Sequence, residues 1–556
     1  MDDVISRREK KTYLILISVC IAAYLSGWFI PLMEIDAVQY ANISREMLLH
    51  KSFLQVYDMG NNYLDKPPML FWLSSASMYI FGINDVAYRL PSFLFAILSI
   101  YSVYRLALLY YPQRLALLSA LILASCQAMF LINHDVRTDT MLMGWVTLSL
   151  WQLAAWLISK KWKNLLLASV AIAGGLLTKG PIALMVPCFS LIPHLLLQRR
   201  FKDLFRWQYL VVVIVVAVLL LPMSIGLYQQ FDLHPEKTVN GQQHVSGLRF
   251  FFWTQSFGRI TGESTWHEND SFLFLFQNML WSFLPWILFF IVGLFYAVMQ
   301  LARKKFLLTA REECISTGGF IITYCALASS RAQLPHYIFI VFPLAAIITA
   351  KFVYKLLYTD NLVRWKKPAF ITHAVIMGLL ATAAALLLYF PFPPPNWPLI
   401  VLFIIICVCI VAAIIKNRST LPSLVILLVA ATSGINLVLN TGFYRPLLQY
   451  QTGIAVNSVI NTRHLDKTHF YVFNIDAGRS LDFYANYSFP RIRDTSLPVP
   501  GDYVLTSQKG SDILGNKQYR LIYTGQSFHV TALTLPFLNP STRSKQVTSF
   551  YIFQHQ

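Results

Sequence analysis

The chain has 556 residues, of which 56% are hydrophobic and 13% are charged, and its net charge is +19 at pH 7. Soluble domains carry about 25% charged residues. This composition therefore excludes a water-soluble enzyme, and also a disordered chain, a collagen-like repeat and a secreted disulfide scaffold. We predict an α-helical polytopic membrane protein, in which the excess of Lys and Arg is first a topology signal, since cytoplasmic loops concentrate these residues.

Thirteen apolar runs approach the length of about 20 residues that a helix needs to cross the hydrocarbon core. The first run is preceded by four basic residues, but it is long and no small-residue cleavage site follows it, which argues against a signal peptide. The predicted spans are 12–31, 88–109, 115–132, 141–158, 164–179, 181–197, 208–227, 272–298, 314–330, 335–357, 368–390, 397–415 and 419–440.

One further apolar run, 68–83, is shorter and has no basic flank on its far side. With thirteen spans and a cytoplasmic N-terminus, the dense basic clusters at 160–163, 199–206, 303–311 and 351–367 all fall on the cytoplasmic side, and a fourteenth span would move them outside. We therefore predict that 68–83 is a helix at the outer membrane interface. The odd number of spans then places the C-terminal tail outside.

The tail differs in kind from the rest of the chain. It contains short alternating runs that are typical of strands, and a candidate helix at 448–461 precedes them. The predicted domains are a membrane domain, 1–440, and a small extracytoplasmic α/β domain, 441–556. The predicted strands are HFYVFNI (469–475), DYVLTS (502–507), YRLIYTG (519–525) and SFYIFQ (549–554).

The outer loops 32–87, 133–140 and 228–271 hold ionisable residues close to the membrane, where they are costly and tend to mark substrate sites. If 33–47 is a helix, Asp36 and Tyr40 share one face. Lys66 precedes two prolines, which fix an extended backbone. The alternative is that Asp36 and Lys66 are ordinary interfacial residues.

The loop 133–140 is very short, so Asp139 stays at the membrane face and can meet Asp36 if their spans are neighbours. Two such carboxylates could act as a base, as orienting groups or as metal ligands; the alternative is that Asp139 caps the following helix. For Arg137 and Asp135 in the same loop, a structural interpretation is favoured.

Three residues of later outer loops complete the candidate pocket. Arg249 has the side chain best suited to bind a phosphate. A single histidine such as His244 more often has a structural role, and a tyrosine such as Tyr337 is as often part of the aromatic belt at the membrane interface. No phosphate-binding loop or dinucleotide motif is present in the sequence. The pattern favours an anionic, membrane-resident substrate, such as a lipid phosphate; the non-enzymatic alternative is a transporter of a lipid-linked sugar.

These stretches resemble the polyprenyl-phosphate-sugar-dependent glycosyltransferases of the GT-C fold, above all the aminoarabinose transferases that modify lipid A, which are related to the protein O-mannosyltransferases. The resemblance extends over residues 30–350. The matching segments are MEIDAVQYANISREM (33–47), YLDKPPMLFWL (63–73), AYRLPS (87–92), HDVRTDTML (134–142), LLTKGPIALMVP (176–187), HVSGLRFF (244–251) and LPHYIFIVFPLAA (334–346).

The resemblance implies roles for single residues. Asp36 and Asp139 match the two acidic positions of the family. Asp65 and His244 match positions that can bind a divalent metal. Two departures are that Gln39 replaces the usual Arg and that Asp65 replaces the commoner Glu. The residues implied in binding the donor phosphate are Lys66, Arg249, Tyr63, Tyr337 and Tyr40.

The function so implied is transfer of a sugar from a polyprenyl-phosphate donor to a lipid A-type glycolipid acceptor. It would take place at the periplasmic face of the bacterial inner membrane. We expect the enzyme to act as a monomer and to have no nucleic-acid partner. The alternatives are a protein O-glycosyltransferase of the same fold and the non-enzymatic transporter.

Overall fold

The structure is a computed structural model. It describes residues 5–239, 241–255, 258, 271–330, 332–359, 362–392, 401, 404, 423–494, 497–515 and 518–556.

Long apolar helices dominate the chain up to residue 442. Where lipid surrounds an apolar segment, its backbone N–H and C=O groups can form hydrogen bonds only within a helix. The main helices are α1 (Arg7–Ser26), α2 (Asp36–His50), α3 (Met69–Phe81), α4 (Asp85–Leu108), α5 (Gln113–Ser125), α6 (Gln127–His134), α7 (Thr138–Ser159), α8 (Trp162–Lys179), α9 (Ile182–Leu197), α10 (Gln208–Leu227), α11 (Phe274–Ser282), α12 (Ile287–Arg303), α13 (Ile315–Ala328), α14 (Phe342–Tyr358), α15 (Val363–Tyr389) and α16 (Ser423–Gly442).

Twelve of the thirteen predicted spans coincide with these helices, whereas almost all of 397–415 lies outside the described residues. Seven of the described helices are long and apolar enough to cross a membrane, and α5 with α6, bent by 53°, makes an eighth if the pair is one span. The polytopic helical fold is confirmed; the total of thirteen spans stays a prediction.

The run 68–83 forms the short helix α3, which ends at Gly82 with φ of 81°. Its 13 residues are about 20 Å long, which is less than the roughly 30 Å of the hydrocarbon core. Leu70 and Phe71 are buried against α2, whereas Tyr79 and Ile80 on the other side are exposed. This one-sided burial fits an interfacial helix, and the placement on the outer surface stays a prediction.

Helix α2 begins at Asp36, so Asp36 and Tyr40 lie one turn apart on the same face, as predicted. The helix ends at Lys51, which has the left-handed φ of 55° that closes many helices. The hairpin strands β1 (Tyr57–Asp58) and β2 (Asn61–Asn62) then pair antiparallel and return the chain towards Lys66.

The tail forms a five-stranded mixed sheet with the order β4-β3-β5-β7-β6. All four predicted strands are present, and the predicted helix 448–461 is found at Thr452–Arg463. Strand β4 was not predicted, because two residues are too short for an alternating pattern. The strands are β3 (Phe470–Phe473), β4 (Arg491–Ile492), β5 (Tyr503–Ser507), β6 (Tyr519–Ser527) and β7 (Thr548–His555).

Hydrogen bonds join the tail to the first outer loop. The amide group of Gln451 accepts from the Glu34 N–H at 2.7 Å and donates to the Leu32 carbonyl at 3.0 Å. The Tyr484 hydroxyl accepts from the Leu32 N–H at 2.6 Å and donates to Asp85 at 2.8 Å. Both ends of this contact are partly or fully buried, so the tail is fixed against the loop that begins α2.

An ion pair between Arg479 and Asp58, 2.8 Å from Nη2 to Oδ2, strengthens the same junction. In Arg479→Ala, the buried Asp58 carboxylate loses this ion pair and keeps the hydrogen bond of 2.7 Å that the Gln39 side-chain amide donates to it. We expect a loss of about 1–3 kcal/mol in the free energy of unfolding, measured by thermal unfolding in detergent. Asp58→Ala should cost less in the Arg479→Ala background than in the wild type; strictly additive losses would contradict this coupling.

Candidate functional site

A polar cavity of about 500 Å³ lies where the loops 32–87 and 133–140 meet the ends of the apolar helices. It gathers seven of the nine predicted site residues, although they are distributed over more than 300 positions of the chain. These are Asp36, Tyr40, Tyr63, Asp65, Lys66, Asp139 and Tyr337.

Asp36 lies in the first turn of α2, and its Oδ2 accepts a hydrogen bond of 2.5 Å from Nη1 of Arg137. Nε of Arg137 donates to Asp135 at 3.0 Å. Burial alone would lower the pKa of Arg137, but Asp135 and Asp36 outweigh it and raise this pKa above its ordinary value. Arg137 is therefore a fixed positive charge, and Asp36, whose side chain is 33% exposed, still faces the cavity.

Asp139 lies in the first turn of α7, and Arg137, two residues earlier, occupies the N-cap position. Its Oδ1 accepts from Nζ of Lys179 at 2.6 Å, and its Oδ2 lies 3.6 Å from Nε2 of His336. The Asp139 side chain is only 3% exposed. The buried ion pair therefore accounts for this carboxylate better than a helix cap does.

Lys179 is the last residue of α8, which ends because Gly180 with φ of 84° and Pro181 follow. Its ammonium lies over the ring of Tyr337, 4.0 Å from the centroid. His336 completes the link between the two carboxylates, because its Nδ1 lies 3.3 Å from Nη1 of Arg137. Asp36 and Asp139 thus belong to one charged network in one cavity.

Two tyrosines form the aromatic wall beside Lys66. The rings of Tyr40 and Tyr63 both pack against Phe71, with centroids 5.8 and 5.9 Å away. Burial raises the pKa of both tyrosines well above the ordinary value. Their hydroxyls are therefore neutral and can donate hydrogen bonds to an anion.

An apolar cavity of about 130 Å³ adjoins the polar one. Both cavities are lined by Asp65, Lys66, Asp139, Lys179 and Tyr337. The remaining wall of the apolar cavity is mostly hydrocarbon and includes Leu142, Ile182, Met185, Phe251 and Ile340. The combined space is amphipathic, with two lysines where its halves meet.

Two of the predicted residues lie elsewhere. Arg249 is exposed and directly precedes Phe250, which lines the apolar cavity. His244 is exposed, has a left-handed backbone with φ of 59°, and lines neither cavity. Neither of these two residues lines the cavity that holds Asp36.

A metal site of Asp65 and His244 finds no support in the described part of the chain. Asp65 lines both cavities and His244 neither. Within the ranges that the structure describes, no group of three or more His, Cys, Asp or Glu residues could hold a metal ion.

Lys179 and His336 were not predicted as site residues. Lys179 lies in the segment LLTKGP and His336 in the segment LPHYIF, which were both quoted above for the resemblance. An isolated basic residue in an outer turn was the available signal for Lys179. For Arg137 the structural interpretation was favoured, and the structure places this side chain between Asp36 and Asp135.

Known proteins similar to this chain are found by sequence and by fold. Residues 65–225 match the family described as dolichyl-phosphate-mannose-protein mannosyltransferase. The undecaprenyl phosphate-α-4-amino-4-deoxy-L-arabinose arabinosyl transferase of Erwinia tasmaniensis is 29% identical over 70% of this chain and 67% of its own length. The protein of the same name from Wigglesworthia glossinidia brevipalpis is 26% identical over 64% of this chain and 61% of its own length.

Solved structures share the fold. The crystal structure of ArnT from Cupriavidus metallidurans bound to undecaprenyl phosphate has a TM-score of 0.71 and 18% identity, over 92% of this chain and 96% of that one. The apo state of the same protein has a TM-score of 0.68. The chain thus has the fold of ArnT and is similar in sequence to the arabinosyl transferases, in agreement with its predicted resemblance to the GT-C glycosyltransferases.

Proposed function

We propose that this enzyme transfers a sugar from a polyprenyl-phosphate donor to a lipid A-type glycolipid at the outer face of the membrane. In an inverting transfer, an acceptor oxygen attacks the anomeric carbon as the bond from that carbon to the donor phosphate oxygen breaks. The polyprenyl phosphate leaves as an anion. The names of the relatives support this donor, and the lipid A-type acceptor is what the resemblance to the aminoarabinose transferases implies.

The observation that carries the proposal is the junction of the two cavities. The apolar cavity suits the part of a polyprenyl chain next to its phosphate, and the polar cavity suits a sugar. The phosphate between them then lies beside Lys66 and Lys179, which line both. Fixed positive charge at the place where negative charge develops is usually the largest contribution to such a rate.

The two carboxylates have different environments and therefore different proposed roles. Asp139 is buried and paired with Lys179, so it holds that ammonium in place. Asp36 is the more exposed and faces the sugar or the acceptor. A phosphate acceptor needs no base, and in that case Asp36 stabilises positive charge developing on the sugar.

Arg249 belongs to the same proposal from the rim of the site. The next two residues, Phe250 and Phe251, line the apolar cavity, and we propose that the Arg249 guanidinium contacts the donor phosphate from the edge of that cavity. The Tyr40, Tyr63 and Tyr337 side chains lie on the cavity wall and would add hydrogen-bond donors or a ring face.

The reaction is tested with the purified protein in detergent, labelled undecaprenyl-phosphate aminoarabinose and lipid A. We expect labelled lipid A as product. Transfer to a protein Ser or Thr in its place would favour the alternative O-glycosyltransferase. Movement of the donor across the bilayer of liposomes, without covalent transfer of its sugar, would favour the alternative that this protein is a transporter and would contradict the proposal.

The proposal places the site and the tail on the periplasmic side and Lys305 on the cytoplasmic side. Single cysteines at the exposed positions Asn84 and Gln242, in a variant without the seven native cysteines, should react with an impermeant thiol reagent from outside. A cysteine at Lys305 should react only after the membrane is opened. If a cysteine at Asn62, before α3, were labelled from outside while those at Asn84 and Gln242 were labelled only from inside, α3 would cross the membrane and this topology would be wrong.

A further inference from the structure

A second polar cavity, of about 470 Å³, lies between the tail and the first outer loop. Glu34 and Ile35 line it on the loop side, and residues 451–452, 476–480 and 527–530 line it on the tail side. We call it the junction cleft. Because Ile35 also lines the polar cavity that holds Asp36, the two spaces are direct neighbours.

The walls of the junction cleft carry carboxylates, amides and hydroxyls. A Glu34 carboxylate oxygen accepts from the Ser480 N–H at 2.9 Å, and Asp476 accepts from the Gly478 N–H at 3.0 Å. The guanidinium of Arg479 is paired with Asp58 outside this wall. The wall thus carries two carboxylates, and its Arg479 guanidinium is already paired with Asp58. Carboxylates repel a phosphate but accept hydrogen bonds from hydroxyls, so the cleft suits a carbohydrate better than a phosphate.

The cleft is open to solvent on one side. Asp476, His529, Gln546 and Thr548 line it and are exposed, whereas Ser480 at its inner wall is fully buried. A headgroup can therefore enter from outside and reach Ile35 without passing through the membrane part of the protein.

The cleft is also separate from the proposed position of the donor. It shares Ile35 with the polar cavity and no residue with the apolar cavity. A donor that fills the two connected cavities would leave the cleft free for a second substrate.

We infer that the junction cleft binds the carbohydrate headgroup of the glycolipid acceptor and presents it to the cavity that holds Asp36. This inference rests on the proposed function and gives the tail a part in recognising the acceptor. The headgroup is recognised through its hydroxyls, by Glu34, Asp476 and the amide side chains of the cleft.

The test is a blocking substitution in the cleft. Gln546→Trp fills the exposed rim, and Lys545→Trp, at the adjacent exposed position outside the lining, is its matched control. Transfer from undecaprenyl-phosphate aminoarabinose to lipid A is measured at varied concentrations of each substrate. We expect the KM for lipid A to rise at least about tenfold in Gln546→Trp, with the donor KM and the Tm unchanged, and no change in Lys545→Trp.

Thr548→Trp is a second blocking variant, in case Gln546→Trp does not fold. An unchanged KM for lipid A in the folded blocking variants, with an active wild type, would overturn the inference and leave the proposed function intact. Equal rises in the donor and acceptor KM would also overturn it. A wild type that transfers no sugar to any glycolipid would overturn the proposed function, and the inference with it.

Discussion

Lys66→Ala should lower the rate of sugar transfer by about 10²–10³-fold, because it removes a positive charge from the point where the two cavities meet. The side chain lies in the outer loop between Asp65 and two prolines, outside the membrane helices. The variant should therefore fold and insert like the wild type. The measurement is transfer to lipid A by purified protein, with the donor saturating.

The matched control is Lys509→Ala, which removes an exposed lysine of the tail. It should transfer at the wild-type rate. Near-normal turnover of Lys66→Ala, with the thermal unfolding of the wild type, would contradict the proposed role of Lys66 in holding the donor phosphate.

Asp139→Ala should affect both activity and stability. The Lys179 side chain, 15% exposed, would lose its carboxylate partner, and breaking a buried pair by removing one member costs about 3–5 kcal/mol. Since the ammonium would also lose its fixed position beside Tyr337, we expect transfer to fall by about 10²-fold. Thermal unfolding and the transfer assay measure the two effects separately.

The double variant Asp139→Ala/Lys179→Met separates positioning from packing. It removes the Lys179 ammonium as well as the Asp139 carboxylate, so the variant should regain much of the free energy of unfolding that Asp139→Ala alone loses. Transfer should stay low, because the cation is missing. If Asp139→Ala alone kept full turnover, Asp139 would not position a group that the reaction needs.

The membrane helices and the strands of the tail were predictable from local pattern. In lipid, the backbone N–H and C=O groups of an apolar run of about 20 residues find hydrogen-bond partners only within a helix. Runs of alternating polarity, such as 502–507, form strands of a half-buried sheet. The bend of 53° between α5 and α6 was not predictable, because it interrupts a continuous apolar run.

Part of the candidate site was also predictable. The spacing of Asp36 and Tyr40 along one helix placed them on one face, and the two prolines after Lys66 indicated a fixed loop. The pair of Asp139 and Lys179 was not predictable from spacing, because the ends of α7 and α8 are brought together by helix packing. Arg249 and His244 had the right chemistry for a site, but their loop holds them at its surface in this structure.

The most direct measurement is mass spectrometry of lipid A and of envelope proteins from a strain that lacks this gene, complemented with the wild type or with Lys66→Ala. We expect lipid A to lose the mass of one or more sugars in the deletion strain, and we expect the wild type, but not Lys66→Ala, to restore it. Unchanged lipid A in the deletion strain, with a sugar lost from envelope proteins, would contradict the proposed acceptor. Restoration by Lys66→Ala would contradict the proposed site.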